Sequence, residues 1–364
     1  MVDDGLTENR VKYLDGIRGL AILLVAAGHI FYQYYISKFG WIGLNLFFVL
    51  SGYLITQRLY FHYTDNRGSY FKNFYLRRVV RIFPLYYACL FVFFIILPFF
   101  YPSYFIYYGD LYRAQGWYWG YASNWMIIFK GLPAQSVFFH FWSLAVEEQF
   151  YLIWPFLFFL LVNIKRNYVF VLLLITGSII VRVLLPENLD SYLNTVTAAE
   201  PLLLGALVAI LGKEKKLEKW YNFFLIMAII SFIGLGIIFI HDSNLHFSNN
   251  WLFRAGYSAI DFVWIFILVY VSVNRTYSGL IRGLFDSKWL TWLGKYSYGI
   301  YVFHWIILIM FIYKAEHELI KMGFEKQMTY FIVRIIGIAF ILAISYISYN
   351  LFEKKFLRLK KYFI

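Results

Sequence analysis

The first long apolar run of the sequence holds two residues that could do chemistry, Arg18 near its start and His29 far inside it. On a helix they would lie about 20° apart around the axis and about 16 Å apart along it. Ionisable side chains are costly to bury in a membrane and therefore mark functional sites. Histidine is also the usual side chain for taking a proton from a hydroxyl. The spacing predicts one polar stripe that joins two depths of the bilayer.

Two adjacent carboxylates, Glu147 and Glu148, stand near the start of a later apolar run. One explanation is that they complement the positive end of a helix. Because they lie about 100° apart on a helix, one can face neighbouring helices while the other faces the headgroups. A carboxylate that accepts the second N–H of an imidazole fixes its tautomer and raises its basicity. Glu147 and His29 fall at compatible depths, so we predict that Glu147 orients His29.

An arginine cluster, formed by Arg77, Arg78 and Arg81, precedes the third apolar run. Arg77 and Arg81 are four residues apart and share a helix face. Such a cluster serves as a positive-inside signal, or contacts anionic lipid headgroups. Guanidinium groups also suit phosphate oxygens, which predicts a cytoplasm-facing phosphate site. Spacing alone leaves these explanations open.

His304 lies inside another apolar run and has two explanations. It is a second catalytic or substrate-binding group, or a structural histidine bonded to a nearby carbonyl, and the structural role is favoured for a lone intramembrane histidine. No spacing of His, Cys or acidic residues predicts a metal site. Other charges within apolar runs are expected to pair across helices, although the sequence does not say which: Arg182, Glu200, Arg254, Asp261 and Arg334.

The elements that must position these groups are membrane helices. The chain of 364 residues is 62% hydrophobic and only 15% charged, whereas soluble domains are near 45–50% apolar and about 25% charged. The net charge of +13 is therefore attributed to cytoplasmic loops and not to nucleic acid binding. We predict ten spans, at residues 16–36, 40–60, 83–101, 143–163, 168–185, 196–212, 220–240, 252–273, 296–313 and 328–351.

Ten spans put both termini on one side of the membrane. By count, that side holds 24 of the 33 Lys and Arg residues, so the positive-inside rule predicts cytoplasmic termini. The aromatic stretch 103–142 is predicted on the outer side, either as a re-entrant or interfacial segment or as an aromatic belt at the headgroups. The last span ends about 12 residues before the end of the sequence. We therefore expect one membrane domain over residues 1–364, with no appended soluble domain.

Taken together, the motifs resemble the acyltransferase 3 family, whose members O-acylate bacterial surface polysaccharides and other acceptors. The resemblance runs from about residue 12 to 355 and is carried by five motifs in order, at residues 18–29, 43–55, 77–86, 143–152 and 297–304. It implies a ten-helix, all-α polytopic fold in the cytoplasmic membrane. It further implies transfer of an acyl group, most commonly acetyl, from cytoplasmic acyl-CoA to a hydroxyl of an extracytoplasmic polysaccharide or glycolipid. One departure is that residues 197–201 keep Glu200 but lack the arginine often found just upstream, so acceptor choice can differ.

The residue chemistry fits this reaction, which needs a base for the hydroxyl and donors for the developing oxyanion. We expect His29 and Glu147 to be catalytic, with His29 acting as a base or, in an acyl-enzyme route, as the nucleophile. The residues expected to bind substrate, with acetyl-CoA as co-substrate, are Arg18, Arg77, Arg78, Arg81, Ser143, Glu148 and His304. The competing hypothesis is a proton-coupled transporter or flippase that uses the same buried polar groups as a relay. Binding of acyl-CoA at the arginine cluster distinguishes the two.

Overall fold

The computed structural model describes residues 8–32, 39–63, 66–133, 135–242, 250–273 and 279–363, and these ranges contain helices and no strands. The α-helices are α1 (Glu8–Ile30), α2 (Ile42–Phe61), α3 (Arg67–Phe91), α4 (Leu97–Phe100), α5 (Tyr104–Arg113), α6 (Gln115–Trp119), α7 (Ser123–Lys130), α8 (Phe141–Leu161), α9 (Asn167–Leu184), α10 (Leu189–Leu193), α11 (Ala199–Lys213), α12 (Leu217–Asp242), α13 (Tyr257–Val273), α14 (Leu280–Phe285), α15 (Lys288–Ile307), α16 (Tyr313–Lys321), α17 (Lys326–Ser348) and α18 (Lys354–Leu357). Four π-helical turns, Val92–Ile96, Leu252–Gly256, Leu308–Ile312 and Tyr349–Glu353, continue neighbouring helices, and a 3₁₀ helix covers Arg358–Tyr362.

Nine helical stretches within the described ranges are long and apolar enough to cross a membrane: Lys12–Ile30, Ile42–Phe61, Gly68–Phe100, Phe141–Leu161, Asn167–Leu184, Leu217–His241, Leu252–Val273, Lys288–Lys321 and Lys326–Tyr362. They confirm an all-α polytopic membrane protein. Nine of the ten predicted spans correspond to these stretches. The tenth, predicted at 196–212, is α11, which has 15 residues and is about 22 Å long, shorter than a hydrocarbon core of about 30 Å.

Three spans extend beyond their predicted limits. The third begins at Gly68 instead of residue 83, and the last two cover Lys288–Lys321 and Lys326–Tyr362. Charged residues lower the hydropathy of these extensions. The helices nevertheless continue through them, because an amphipathic helix can direct its polar face away from its apolar surroundings. The arginine cluster therefore lies within α3 and not in a loop before it.

The chain divides into two compact units. Unit 1 comprises Met1–His62 and Gln149–Ser297, and unit 2 comprises Tyr63–Glu148 and Tyr298–Ile364. The boundaries fall just after α2 and inside α8 and α15. One membrane domain over residues 1–364 stays a prediction.

Glycines bring the helices of unit 1 into backbone contact. A Cβ added to Gly52 of α2 would lie 1.8 Å from the Leu202 carbonyl oxygen of α11, and one added to Gly205 would lie 2.0 Å from the Val49 carbonyl oxygen. Small residues permit such close approach between membrane helices. The contact explains how the short α11 is held: all residues from Glu200 to Leu211 are buried.

The same device fixes α1 within unit 1. A Cβ on Gly16 would lie 1.8 Å from the Phe285 carbonyl oxygen, and a Cβ on Gly294 would lie 1.7 Å from the Asp15 carbonyl oxygen. At the other end of α1, a Cβ on Gly40 would lie 2.3 Å from Cα of Gly28. The helix that carries Arg18 and His29 is therefore held tightly at both ends.

The aromatic stretch 103–142 belongs to unit 2 and folds into α5, α6 and α7, of 10, 5 and 8 residues. None of these helices is long enough to cross a bilayer. The stretch is anchored on α3, where the Tyr86 hydroxyl donates to the Tyr118 carbonyl oxygen at 2.7 Å and the Tyr87 hydroxyl to the Trp119 carbonyl oxygen at 3.1 Å. Tyr118 is fully buried, so the stretch forms part of the core of unit 2 and is more than a belt of aromatic side chains at the headgroups.

Apolar side chains cover much of the surface. On α12, Phe232 is 74% exposed and Ile240 is 81% exposed. A soluble protein rarely exposes large apolar patches, and a helix in a bilayer presents such side chains to lipid tails. The surface of α12 is suited to lipid as its solvent.

Candidate active site

The predicted site residues divide between the two units. Arg18 and His29 belong to unit 1, and the remaining candidates belong to unit 2, namely Arg77, Arg78, Arg81, Ser143, Glu147, Glu148 and His304. The pairing of His29 with Glu147 would join one unit to the other, and it stays a prediction. Each unit nevertheless contains a polar arrangement of its own.

Arg18 and His29 lie on one continuous helix, α1, as their spacing requires. The Arg18 guanidinium donates to the Asp15 carboxylate at 2.7 Å, and both side chains are partly exposed, at 18% and 26%. His29 occupies the last turn of α1, beside the close contact of Gly28 with Gly40. The sequence reasoning missed Asp15 as a partner of Arg18, although the i,i+3 spacing is the signal that would have found it.

A buried ion pair lies at one end of unit 1. Arg182 of α9 donates to Glu200 of α11, and the two side chains are 3% and 0% exposed. Ser258 of α13 bridges the pair, because it accepts from Arg182 at 2.6 Å and donates to the second carboxylate oxygen of Glu200 at 2.6 Å. Three helices are thereby joined through a buried ion pair and a half-buried serine.

A second buried contact lies one turn further along α13. The Asn45 amide of α2 donates to the Asp261 carboxylate at 2.8 Å, and Asp261 is 0% exposed. The ring of Tyr257 lies 5.8 Å from the Arg182 guanidinium and its centroid lies 4.9 Å from that of Trp41. Trp41 precedes α2, so this polar layer reaches the connection that follows His29.

In unit 2, each arginine of the cluster meets a protein group. The Arg77 Nε donates to the Phe363 carbonyl oxygen at 2.5 Å. Arg81 lies within electrostatic range of Glu353, and Arg78 lies within electrostatic range of Glu148. The cluster is therefore integrated into the fold. Glu353, a buried carboxylate in a π-helical turn, was missed because it lies in the charged end of the last apolar run.

Glu147 and Glu148 are the seventh and eighth residues of α8. Glu148 lies within electrostatic range of Arg78 and of Glu147. Its Oε1 atom is buried, and no described residue forms a hydrogen bond with that atom. The acidic motif and the arginine motif thus come within electrostatic range of each other in unit 2, which the sequence did not predict.

Ser143 and His304 are joined through Tyr301. The Ser143 Oγ lies 2.5 Å from the Tyr301 hydroxyl, which donates to the His140 carbonyl oxygen at 2.6 Å. The His304 Nδ1 lies 2.6 Å from the Tyr301 carbonyl oxygen, three residues earlier in its own helix. A bond to a nearby carbonyl is what a structural histidine would form, and both the structural and the substrate-binding role of His304 stay predictions.

His140 and Tyr301 are the residues of this cluster that sequence reasoning left without a role. The rings of His140 and His304 lie with centroids 5.1 Å apart, and both residues are buried. Both missed residues lie within the segments that contain Ser143 and His304. The signal available in the sequence was that each lies three residues before a predicted site residue, His140 before Ser143 and Tyr301 before His304.

A comparison with known protein families shows to which family the chain belongs. The family model for the acyltransferase domain matches residues 11–350. The chain belongs to the acyltransferase 3 family. The resemblance that the five motifs carried is thereby confirmed over nearly the whole sequence.

Individual relatives are similar over most of this chain. A peptidoglycan O-acetyltransferase, OatA, of Listeria monocytogenes is 31% identical over 321 residues, which cover 82% of this chain and 50% of the relative. The O-acetyltransferase OatA of Staphylococcus aureus is 30% identical over 313 residues, covering 81% and 50%. The chain thus spans about half the length of these relatives. No solved structure matches it significantly.

Proposed function

We propose that this chain is an integral membrane O-acyltransferase that moves an acetyl group from cytoplasmic acetyl-CoA to a hydroxyl of an extracytoplasmic glycan. Membership of the acyltransferase 3 family carries the proposal. The described helices support a multi-pass membrane protein, and the proposed membrane is the cytoplasmic one. Since one relative is named for peptidoglycan, we propose a peptidoglycan-type glycan as the acceptor, within the wider class of surface polysaccharides and glycolipids.

The acyl donor binds from the cytoplasm in this proposal. Arg77, Arg78 and Arg81 contact the CoA phosphates, because guanidinium forks suit phosphate oxygens. These arginines already interact with the Phe363 carbonyl oxygen, Glu353 and Glu148. A bound phosphate would therefore add to these interactions or replace them. Arg18 binds the phosphate or pantetheine end on the stripe that leads to His29.

In the transfer step of this proposal, His29 is the general base and Glu147 orients the His29 imidazole. The imidazole takes the proton of the acceptor hydroxyl, whose oxygen attacks the thioester carbonyl carbon and forms the new C–O bond. The C–S bond breaks, the electron pair leaves with sulfur, and the CoA thiolate takes up the proton. Hydrogen-bond donors beside the carbonyl stabilise the developing oxyanion.

The decisive experiment measures acetyl transfer in membrane vesicles supplied with labelled acetyl-CoA and a glycan acceptor. The wild type is expected to produce labelled glycan, and His29→Ala is expected to produce none. Paired substitution of Arg77 and Arg81 by Ala is expected to weaken acetyl-CoA binding. Full acetylation by His29→Ala would falsify the assignment, and glycan movement without acetyl-CoA would favour a transporter.

A further inference from the structure

Glu148 occupies a place in unit 2 where a buried acceptor lacks a donor. The buried Oε1 atom of Glu148 has no hydrogen-bond partner among the described residues. A buried acceptor without a donor lowers the stability of the fold, because it has lost its hydrogen bonds to water. Native structures rarely keep such a group, unless a ligand or water supplies the missing donor.

The tyrosines around Glu148 do not supply this donor. Tyr86, Tyr87 and Tyr298 all lie within electrostatic range of Glu148. Each phenol has one O–H to donate, and all three are already used, by the carbonyl oxygens of Tyr118, Trp119 and Ile82. Tyr121 also lies within electrostatic range of Glu148, but its hydroxyl forms no hydrogen bond with the Glu148 Oε1 atom. The surroundings of Glu148 are therefore aromatic, and none of these four phenols donates to its Oε1 atom.

The position of Glu148 relative to α3 indicates which part of a bound acyl donor would lie beside it. Arg78, in electrostatic range of Glu148, and Tyr86 are eight residues apart on α3, about 12 Å along its axis. The site therefore lies between the cationic part of α3 and the aromatic part on which residues 115–122 rest. An acyl donor whose phosphates contact the arginine cluster would bring the part that follows its phosphates to this site.

We propose that Glu148 accepts a hydrogen bond from an amide N–H of the pantetheine arm of the acyl donor. This inference rests on the proposed function, because that function supplies an acyl-CoA. The arm is neutral, carries two amides and extends from the phosphates to the thioester. Tyr86, Tyr87 and Tyr121, stacked through Tyr86 and Tyr121 at 4.1 Å, form an apolar wall beside it. Glu148 binds the donor and takes no part in proton transfer.

The test compares three acetyl donors with purified protein in lipid vesicles: acetyl-CoA, S-acetylpantetheine, and the acetyl thioester of a simple alkanethiol, which has no amide. Glu148→Ala is expected to raise KM about tenfold for the first two donors, as the loss of one hydrogen bond predicts. KM for the third donor and for the glycan acceptor is expected to stay unchanged. Glu148→Gln, which keeps the shape and an acceptor oxygen, is expected to recover part of the loss.

Glu318→Ala is the matched control, since it removes an exposed glutamate and is expected to leave every KM unchanged. An equal rise for the amide-free donor, or a rise only for the glycan acceptor, overturns the inference while acetyl transfer by the wild type upholds the proposed function. A direct binding assay with S-acetylpantetheine covers the case in which the wild type transfers no acetyl group, which overturns the proposed function. If the wild type then still binds S-acetylpantetheine and Glu148→Ala binds it more weakly, the inference about Glu148 is supported.

Discussion

At the scale of single residues, the contrast between two ion pairs of unit 1 shows what burial changes. Arg182 and Glu200 are almost without exposure, whereas Arg254 and Glu187 are 45% and 22% exposed. The Arg254 guanidinium holds the pKa of Glu187 below its ordinary value through a hydrogen bond. Removing one partner of a buried pair leaves a charge that nothing compensates, while an exposed pair contributes little.

Arg182→Ala is therefore expected to destabilise the protein by roughly 3–5 kcal/mol, because Glu200 stays buried without its partner. Thermal unfolding in detergent measures the loss. Arg254→Ala serves as the control and is expected to cost less than about 1 kcal/mol. Replacing Arg182 and Glu200 together by leucine is expected to recover most of the stability, and equal losses for the two single variants would contradict the explanation.

At the scale of elements, backbone contact between α2 and α11 depends on Gly52 and Gly205. Gly52→Ala is expected to lower the unfolding temperature strongly, because the added Cβ would lie 1.8 Å from the Leu202 carbonyl oxygen and backbone must move. Gly234→Ala on α12 is the matched control, since nothing lies within 4 Å of its added Cβ. A Gly52→Ala protein as stable as the control would show that α2 and α11 are not in backbone contact.

The start of α17 gives a prediction about pH. The Glu325 side chain accepts from the backbone N–H groups of Gln327 and Met328, and these bonds hold the pKa of Glu325 below its ordinary value. A carboxyl with a lowered folded pKa stabilises the fold above its unfolded pKa and loses that contribution as pH falls through the folded pKa. Glu325→Ala is expected to unfold at a lower temperature than the wild type at pH 7.

That difference is expected to shrink as the pH falls below about 4. Unfolding temperatures of both proteins across this range measure it. Glu318→Ala, at an exposed position of α16, is expected to show no such dependence. A constant difference between Glu325→Ala and wild type at every pH would indicate that the side chain acts through packing alone.

At the scale of the whole molecule, the distribution of Lys and Arg predicts the orientation in the membrane. In a Cys89→Ser background, which removes the single cysteine, Asp190→Cys is expected to react with an impermeant maleimide in intact cells. Lys219→Cys is expected to react only after the membrane is opened, because the basic loops stay in the cytoplasm. Both positions are exposed. Labelling of Lys219→Cys in intact cells would reverse the proposed orientation.

The hydropathy of the sequence predicted nine of the spans that the structure contains, because each long apolar run must become a helix to satisfy its backbone in lipid. It misjudged the start of α3, where Arg77 and Arg81 lower the hydropathy but share a helix face. It also left open the partners of buried charges such as Arg182 and Asp261, since pairing depends on how helices rotate about their axes.

The sequence by itself determined the membrane class, the family and the placement of Arg18 and His29 on one helix, since these follow from local composition and spacing. Only the tertiary structure decided which distant groups meet, such as Asn45 with Asp261 and Arg78 with Glu148. Residues far apart in the chain meet only after packing has set the distance between helices, and no local pattern contains that distance. The role of His29 as a base stays a prediction from the sequence, whereas the environment of Glu148 comes from the fold.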